Sequence, residues 1–358
     1  MNGDAMKGSL WFQSLRQRLF ATWVDAAITL VCLYIVWRIS VPLVQWLLLD
    51  ATWSGTTRED CKSSGACWVF VRMRFGQFMY GQYPLPERWR VDLLGLLWVA
   101  VTVALSWRGL PYRRGAVIAA ALLLPPVGIV LLHGGWGTGL RLVESREWGG
   151  LMLTLFLTIY AGLIAVPLGI LLALGRRSRL PLVRFASVVF IEFWRGVPII
   201  TVIFLASILL PLIMPTGFDV DRLARAVIGL AFVIAAYMAE AVRGGLQAVP
   251  DGQTEAAEAV GLGYWRIQRM IVLPQALRIA WPAMTNEFIA LFKNTTLVLI
   301  VSIFDLLGIA QAALADPAWV GMNMEAYVFA GAIYWFICFG LSQASQLRER
   351  RLQKAHGR

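Results

Sequence analysis

The stretch 255–274, EAAEAVGLGYWRIQRMIVLP, lies in a polar loop between two apolar runs and decides how the rest of the chain is interpreted. Its small and acidic opening residues suit the first turn of a helix, where the backbone amides present a positive end. Gly261 and Gly263 then end this helix. A second segment, 264–273, has apolar residues at helical spacing before Pro274. The pattern predicts two short helices bent at glycine, which together would form a compact docking surface.

The composition outside this loop is that of an integral membrane protein. Of the 358 residues, 59% are hydrophobic and only 15% are charged, and the mean hydropathy is +0.67. A membrane-spanning helix needs roughly 20 apolar residues. We therefore predict an all-α polytopic membrane protein with about eight transmembrane helices. The eight apolar stretches cover residues 22–48, 91–106, 116–132, 150–174, 186–213, 224–242, 283–304 and 326–345.

The distribution of Lys and Arg predicts the orientation in the membrane. A net charge of +11 would suggest a nucleic-acid partner in a soluble protein, whereas in a membrane protein basic loops set the topology. More of the loop Lys and Arg residues fall on the side of the N-terminus, so we expect both termini, including a basic tail 348–358, in the cytoplasm. The loop 50–90 is then outside the cytoplasm, where Cys61 and Cys67 can form a disulfide. The first 20 residues lack a cleavage site and are expected to stay attached.

Several kinds of chemistry are disfavoured by the residues present. None of the four lysines follows a glycine, so the chain has no Walker A loop for ATP. With two histidines and no nucleophile–base pair at useful spacing, we expect no metal, no bound cofactor and no enzymatic activity. Glu192, Glu240 and Glu287 lie in or near predicted spans and keep an ion-coupled secondary transporter among the candidate functions. Glu240 and Arg243 are three residues apart near a helix end, which predicts a local ion pair.

The loop residues resemble the EAA motif of bacterial ABC-importer permeases, which reads E-A-A, three residues, Gly, nine residues, I-x-L-P. The alternative is a chance match on a surface helical hairpin. The resemblance implies that the loop inserts into a groove of a separate ATP-binding cassette subunit, which uses the ATP. The matching positions are Glu255, Ala256, Ala257, Gly261, Ile271, Leu273 and Pro274.

Other stretches are similar to the polar amino acid permeases, namely 151–162, 192–198 (EFWRGVP), 236–245 and 286–300. The extra N-terminal helices and the Cys-bearing loop resemble the longer permease subunit of general L-amino acid importers. This resemblance implies a five-helix type I importer core at 150–347, with the coupling loop at 243–282. Residues 1–149 would form a three-helix N-terminal extension that contains the loop 50–90.

The resemblance also implies partners and a location. Such a chain would form the translocation pathway with a second homologous permease, most simply a different one, in the lipid of the bacterial inner membrane. Two ATPase subunits and a periplasmic amino-acid-binding protein would complete the importer, and an amino acid would be the substrate.

Charged and polar residues within predicted spans are candidates for the substrate pathway. Glu287 and Asn294 are seven residues apart and share a helix face with Thr295 near Lys293, where the resemblance implies the wall of the central cavity. A packing network around Glu287 is the alternative. Arg195 precedes Pro198, so it suits either a structural kink, with the arginine satisfying free carbonyls, or a carboxylate contact in the pathway.

Overall fold

The computed structural model describes residues 19–106, 112–215 and 220–356, and these form helices and loops without a named β-strand. In chain order the longer helices are α1 (Trp23–Leu49), α2 (Trp68–Tyr80), α3 (Arg88–Ser106), α4 (Arg113–His133), α5 (Gly150–Arg176), α6 (Pro181–Gly196), α7 (Ile199–Ile213), α8 (Arg222–Gln247), α9 (Gly252–Ala259), α10 (Tyr264–Val301), α11 (Leu306–Leu314) and α12 (Asn323–His356). The predicted all-α class is confirmed.

Six of the described helices are long and apolar enough to cross a membrane, or seven when α6 and α7 count as one broken span. The prediction was eight. The predicted span 91–106 does form a helix, α3, but its first turns carry Arg88, Arg90 and Asp92, and it is not among the six. The predicted tail 348–358 continues α12 as far as His356, and the first 18 residues and the last two lie outside the described part.

The predicted continuous span 186–213 is wrong, because the chain bends by 103° between α6 and α7. Val197 is extended, with φ −97° and ψ 131°, and Pro198 follows it. Proline has no backbone N–H and disfavours the helical conformation of the residue before it. The kink expected at Pro198 is therefore present, and it is sharp enough to divide the span into two helices.

Small residues bring the core helices together. Ala231, Ala235 and Ala239 of α8 are completely buried. A side chain at Gly169 of α5 would collide with the carbonyl oxygen of Ala235, so the two helices approach each other closely at the glycine. Such close backbone approach stabilises helix pairs in lipid, where burial of apolar surface between helices gains little.

The chain divides into two compact units, which differ from the predicted division at 149/150. One unit comprises residues up to Met73 together with Pro317–Glu325, and the other comprises Arg74–Asp316 and Ala326–Arg358. The α3–α4 pair belongs to the second unit, where the hydroxyl of Tyr160 in α5 donates to the Pro125 carbonyl of α4 at 2.8 Å. The functional division into an extension and a core stays a prediction.

Candidate coupling loop and translocation-path residues

The loop 250–263 forms the predicted helix and glycine turn. After α9, Gly261 adopts φ +81°, a conformation that side-chain-bearing residues rarely take. Its N–H donates to the Glu258 carbonyl at 2.9 Å, and the Leu262 N–H donates to the Ala257 carbonyl at 3.1 Å. These two bonds make a Schellman motif, which satisfies the last free carbonyls of α9. The turn therefore has a defined geometry that depends on glycine.

One face of this loop packs against the protein, and the other face is exposed. Ala257 and Ile267 are buried and anchor the loop against the protein. Glu255 is exposed, and Val260 and Trp265 are each 75% exposed. Exposed apolar side chains on a loop that also carries an exposed carboxylate are typical of a surface that binds another protein. Ala256 is also exposed there, as expected for a contact position.

The second predicted helix of the loop does not end at Pro274. It starts at Tyr264 and continues through a π turn, Gln268–Val272, into the span of α10. In this turn the Leu273 N–H donates to the Gln268 carbonyl, five residues back. The wider turn lets the helix pass Pro274, which cannot donate, without stopping. Ile271, Leu273 and Pro274 are half-buried at this junction, so the loop is continuous with a candidate membrane span.

Five charged side chains join α5, α6 and α8. An Arg176 nitrogen lies 2.9 Å from a carboxylate oxygen of Glu192 and 2.9 Å from one of Glu240. Arg243 reaches Glu240 at 2.7 Å, which confirms the predicted local ion pair. Arg195 lies beside the kink, and its guanidinium is 3.9 Å from the carboxylate of Glu192 and 4.0 Å from that of Glu240. Glu240, with its side chain 18% exposed, is the centre of this network.

The predicted pathway residues on α10 fall in different environments. Glu287 and Asn294 are half-buried and Lys293 is exposed. In the described part of the chain the Glu287 carboxylate forms no ion pair or hydrogen bond, and both its pathway role and its packing role stay predictions. Thr295 does not share their surface. It is completely buried, and its hydroxyl donates to the Phe292 carbonyl at 2.9 Å.

A buried polar cluster that the sequence analysis missed surrounds Asp305. Its carboxylate accepts the Gly308 N–H at 2.9 Å and the Tyr334 hydroxyl at 2.7 Å, with the Thr295 hydroxyl at 3.4 Å. The Thr154 hydroxyl of α5 accepts the neighbouring Leu306 N–H at 3.0 Å. The cluster fixes where α11 starts relative to α5, α10 and α12. An aspartate directly before the apolar run 306–310 is an N-cap signal and could have revealed its local role.

In the first compact unit, Cys61 and Cys67 form a disulfide, the pairing that the sequence left open. The turn just before the disulfide is closed by Asp60, which accepts the backbone N–H groups of Thr56 and Thr57. These bonds hold the pKa of Asp60 below its usual value, and the bond from Thr57 has the largest effect. The Cys67 N–H donates to Glu325 at 3.0 Å, so the disulfide loop is tied to the first turn of α12. Among the described residues, no cluster of His, Cys, Asp or Glu could hold a metal ion.

Comparison with known proteins identifies the family. Residues 165–354 match the model of the "binding-protein-dependent transport system inner membrane component". The chain is 49% identical over 348 residues to the inner membrane amino-acid ABC transporter permease protein YhdY of Escherichia coli (strain K12), covering 97% of this chain and 94% of that protein. It is 35% identical to the glutamate/glutamine/aspartate/asparagine transport system permease protein BztC of Rhodobacter capsulatus, covering 96% and 94%.

One solved structure supports the same assignment. A chain in the crystal structure of an amino acid ABC transporter with histidines matches with a TM-score of 0.50 and 32% identity, over 56% of this chain and 92% of that chain. The exposed glycine turn, the long α10 that follows it, the matched family model and the relatives that align over nearly the whole chain agree with one another. The chain belongs to the family of inner membrane components of binding-protein-dependent transport systems.

Proposed function

We propose that this chain is the membrane-spanning permease subunit of an ATP-driven importer of L-amino acids, and that it couples to a separate ATPase through the loop 243–282. The observation that carries the coupling role is the continuity of the exposed turn at Gly261 with α10. A protein that binds this turn and moves it would move a membrane span directly. The names of the two relatives above, an amino-acid permease protein and an acidic amino acid and amide permease protein, support the substrate class.

The coupling surface is defined by its outward residues, Glu255, Ala256 and Val260. Glu255 would offer a carboxylate to a basic group of the ATPase, and the apolar residues would be covered on docking. ATP-driven closure of two ATPase subunits would then shift the attached spans between two arrangements. ATP would be bound and hydrolysed by those subunits alone, and this chain would use no cofactor.

The pathway would be completed by a second, homologous permease, because the charged and polar face of this chain is open. Glu287, Asn294 and Lys293 would face that partner across the cavity, with Glu287 suited to the ammonium group of an amino acid. Arg195, 36% exposed beside the kink, would act at the same cavity. The loop with the disulfide would face the periplasm and receive an amino-acid-binding protein, with both termini in the cytoplasm.

The experiment is uptake of a panel of labelled amino acids into proteoliposomes of controlled orientation. They would contain this chain, its partner permease and ATPase, and would be supplied with the binding protein. Uptake of several L-amino acids that requires ATP on the ATPase side is the expected result. Uptake driven by an ion gradient with the ATPase omitted would replace this proposal with the ion-coupled secondary transporter.

A further inference from the structure

A groove of about 590 Å³ lies where α5 ends, between the connection to α6 and the start of α10. We call it the interface groove. One side is apolar and includes Leu171, Leu174 and Val183. The other end contains Arg179, Glu258 and the aromatic pair Tyr264 and Trp265. The groove therefore changes from apolar to charged along its length.

This change coincides with the end of a membrane span. α5 is a 27-residue candidate span that ends at Arg176, and Leu171, 65% exposed, lies in its last apolar turns. Arg179 follows the end of the helix. Tyr264 and Trp265 contact each other edge to face with ring centroids 5.4 Å apart and are 48% and 75% exposed. Exposed Trp and Tyr residues are enriched where hydrocarbon meets the headgroup region.

The charged end of the groove has one arginine in its lining, Arg179, which is available for an anion. Arg179 is exposed and forms no ion pair within the described residues. Two nearby arginines lie outside the lining: Arg177 donates to the Leu246 carbonyl at 3.1 Å, and Arg184 is exposed one turn into α6. Glu258 is the one carboxylate in the lining. A phosphate would therefore be attracted to the Arg179 side of the groove and away from Glu258.

We propose that the interface groove binds one anionic phospholipid from the cytoplasmic leaflet. An acyl chain lies along Leu171, Leu174 and Val183, and the phosphate meets Arg179, as basic pockets between membrane helices do with anionic headgroups. The choice of leaflet rests on the proposed orientation of the chain. Because Tyr264 and Trp265 begin α10 beside the glycine turn, the bound lipid contacts the proposed coupling loop and steadies its position at the membrane surface.

Another groove provides an internal contrast. It lies between α3 and α5, has a volume of about 560 Å³, and is lined by side chains such as Leu94, Trp98 and Leu155 with no charged residue in its lining. It can accommodate an acyl chain but offers nothing that distinguishes one headgroup from another. Selectivity for an anionic lipid should therefore depend on the interface groove.

The test compares Arg179→Gln with Arg184→Gln, a matched loss of one exposed arginine from the same basic segment but outside the groove. Each variant is purified as the full chain with its partner permease and ATPase in nanodiscs. The nanodiscs contain phosphatidylcholine with increasing fractions of phosphatidylglycerol. Native mass spectrometry after gentle delipidation then counts the retained phosphatidylglycerol molecules. We expect Arg179→Gln to weaken retention about fivefold, the effect of one basic residue near an anionic lipid, and Arg184→Gln to leave it near the wild-type value.

A second variant tests the apolar half. Val183→Trp should fill the groove and displace the lipid while leaving every charge in place. Equal retention by Arg179→Gln and Arg184→Gln, or equal retention of phosphatidylcholine and phosphatidylglycerol by the wild type, would overturn the proposal. Lipid that is retained only when the ATPase is removed would assign the groove to the ATPase instead. Since retention is measured without transport, these outcomes are independent of the uptake experiment.

Discussion

The hydroxyl of Tyr334 donates a 2.7 Å hydrogen bond to the carboxylate of Asp305, linking α12 to the start of α11 across 29 residues. The same carboxylate caps α11 through the Gly308 N–H, and no part of Asp305 is exposed. The bond thus joins α12 to the start of α11, shortly after the end of α10. Because the cluster is buried, each of its hydrogen bonds lacks competition from water.

Removing the carboxylate of Asp305 should destabilise the fold more than removing one of its donors. We expect Asp305→Ala, which leaves several buried donors unpaired, to cost about 3 kcal/mol, and Tyr334→Phe to cost roughly 1–2 kcal/mol. Asp305→Asn, which keeps an acceptor of similar shape, serves as the conservative control. Thermal unfolding of the detergent-purified complex measures the difference, and equal losses for all three variants would contradict the assigned hydrogen bonds.

The turn at Gly261 should tolerate a methyl group less well than the nearby Gly263. Neither glycine has a neighbouring atom within 4 Å of an added Cβ, but Gly261 has φ +81° and Gly263 has φ −72°. Gly261→Ala therefore adds roughly 1–2 kcal/mol of backbone strain, which should weaken ATPase binding about tenfold. Gly263→Ala, the matched control, should bind normally. Titration of the ATPase onto the reconstituted permease pair provides the comparison.

Loss of the Glu240 carboxylate should destabilise the protein more than loss of the Glu192 carboxylate. Glu240 interacts closely with both Arg176 and Arg243, and its side chain is 18% exposed, against 53% for Glu192. Glu240→Gln should cost about 2–3 kcal/mol, because it leaves partly buried arginines without their shared carboxylate. Glu192→Gln should cost less than about 1 kcal/mol, since that side chain is largely in solvent. Similar melting temperatures for the two variants would show that Glu240 is not the centre of the network.

The disulfide should stabilise the local structure of its loop without being needed for the membrane core. Cys61 and Cys67 are six residues apart, so closing this short loop contributes about 2 kcal/mol in the chain-entropy model. In Cys61→Ser/Cys67→Ser the loop should become sensitive to protease while the spans still assemble. Cys32→Ser changes an exposed free cysteine of α1 and provides the control. Limited proteolysis with and without reductant distinguishes them.

Local patterns in the sequence predicted much of the fold. Apolar runs identified the spans because the thickness of the membrane imposes their length. The three-residue spacing predicted the Glu240–Arg243 pair, and Pro198 predicted where the span would kink. The angle of 103° at that point was not predictable, since it depends on how both helices pack against the rest of the protein.

Contacts between residues far apart in the sequence could not be predicted from local patterns. Arg176 meets Glu240 from 64 residues away, and Thr154 accepts an N–H from a residue 152 positions later. No periodicity in the sequence encodes such pairings. Pro274 was misinterpreted as a stop because a π turn, which has no simple sequence signal, lets the helix continue. The spacing of Thr295 from Glu287 placed it on the predicted pathway face. That prediction was wrong, because Thr295 is completely buried beside Asp305.

The length of α10 has a mechanical consequence. Its 38 residues correspond to a rod of about 55 Å at the usual helical rise. A tilt of about 5° around one end displaces the other end by about 5 Å, which is close to the width of an amino-acid side chain. A small change of angle at the glycine turn thus produces a larger displacement at the far end of the helix. The π turn after Ile267 is the point at which the helix could bend, and bending there would reduce that displacement.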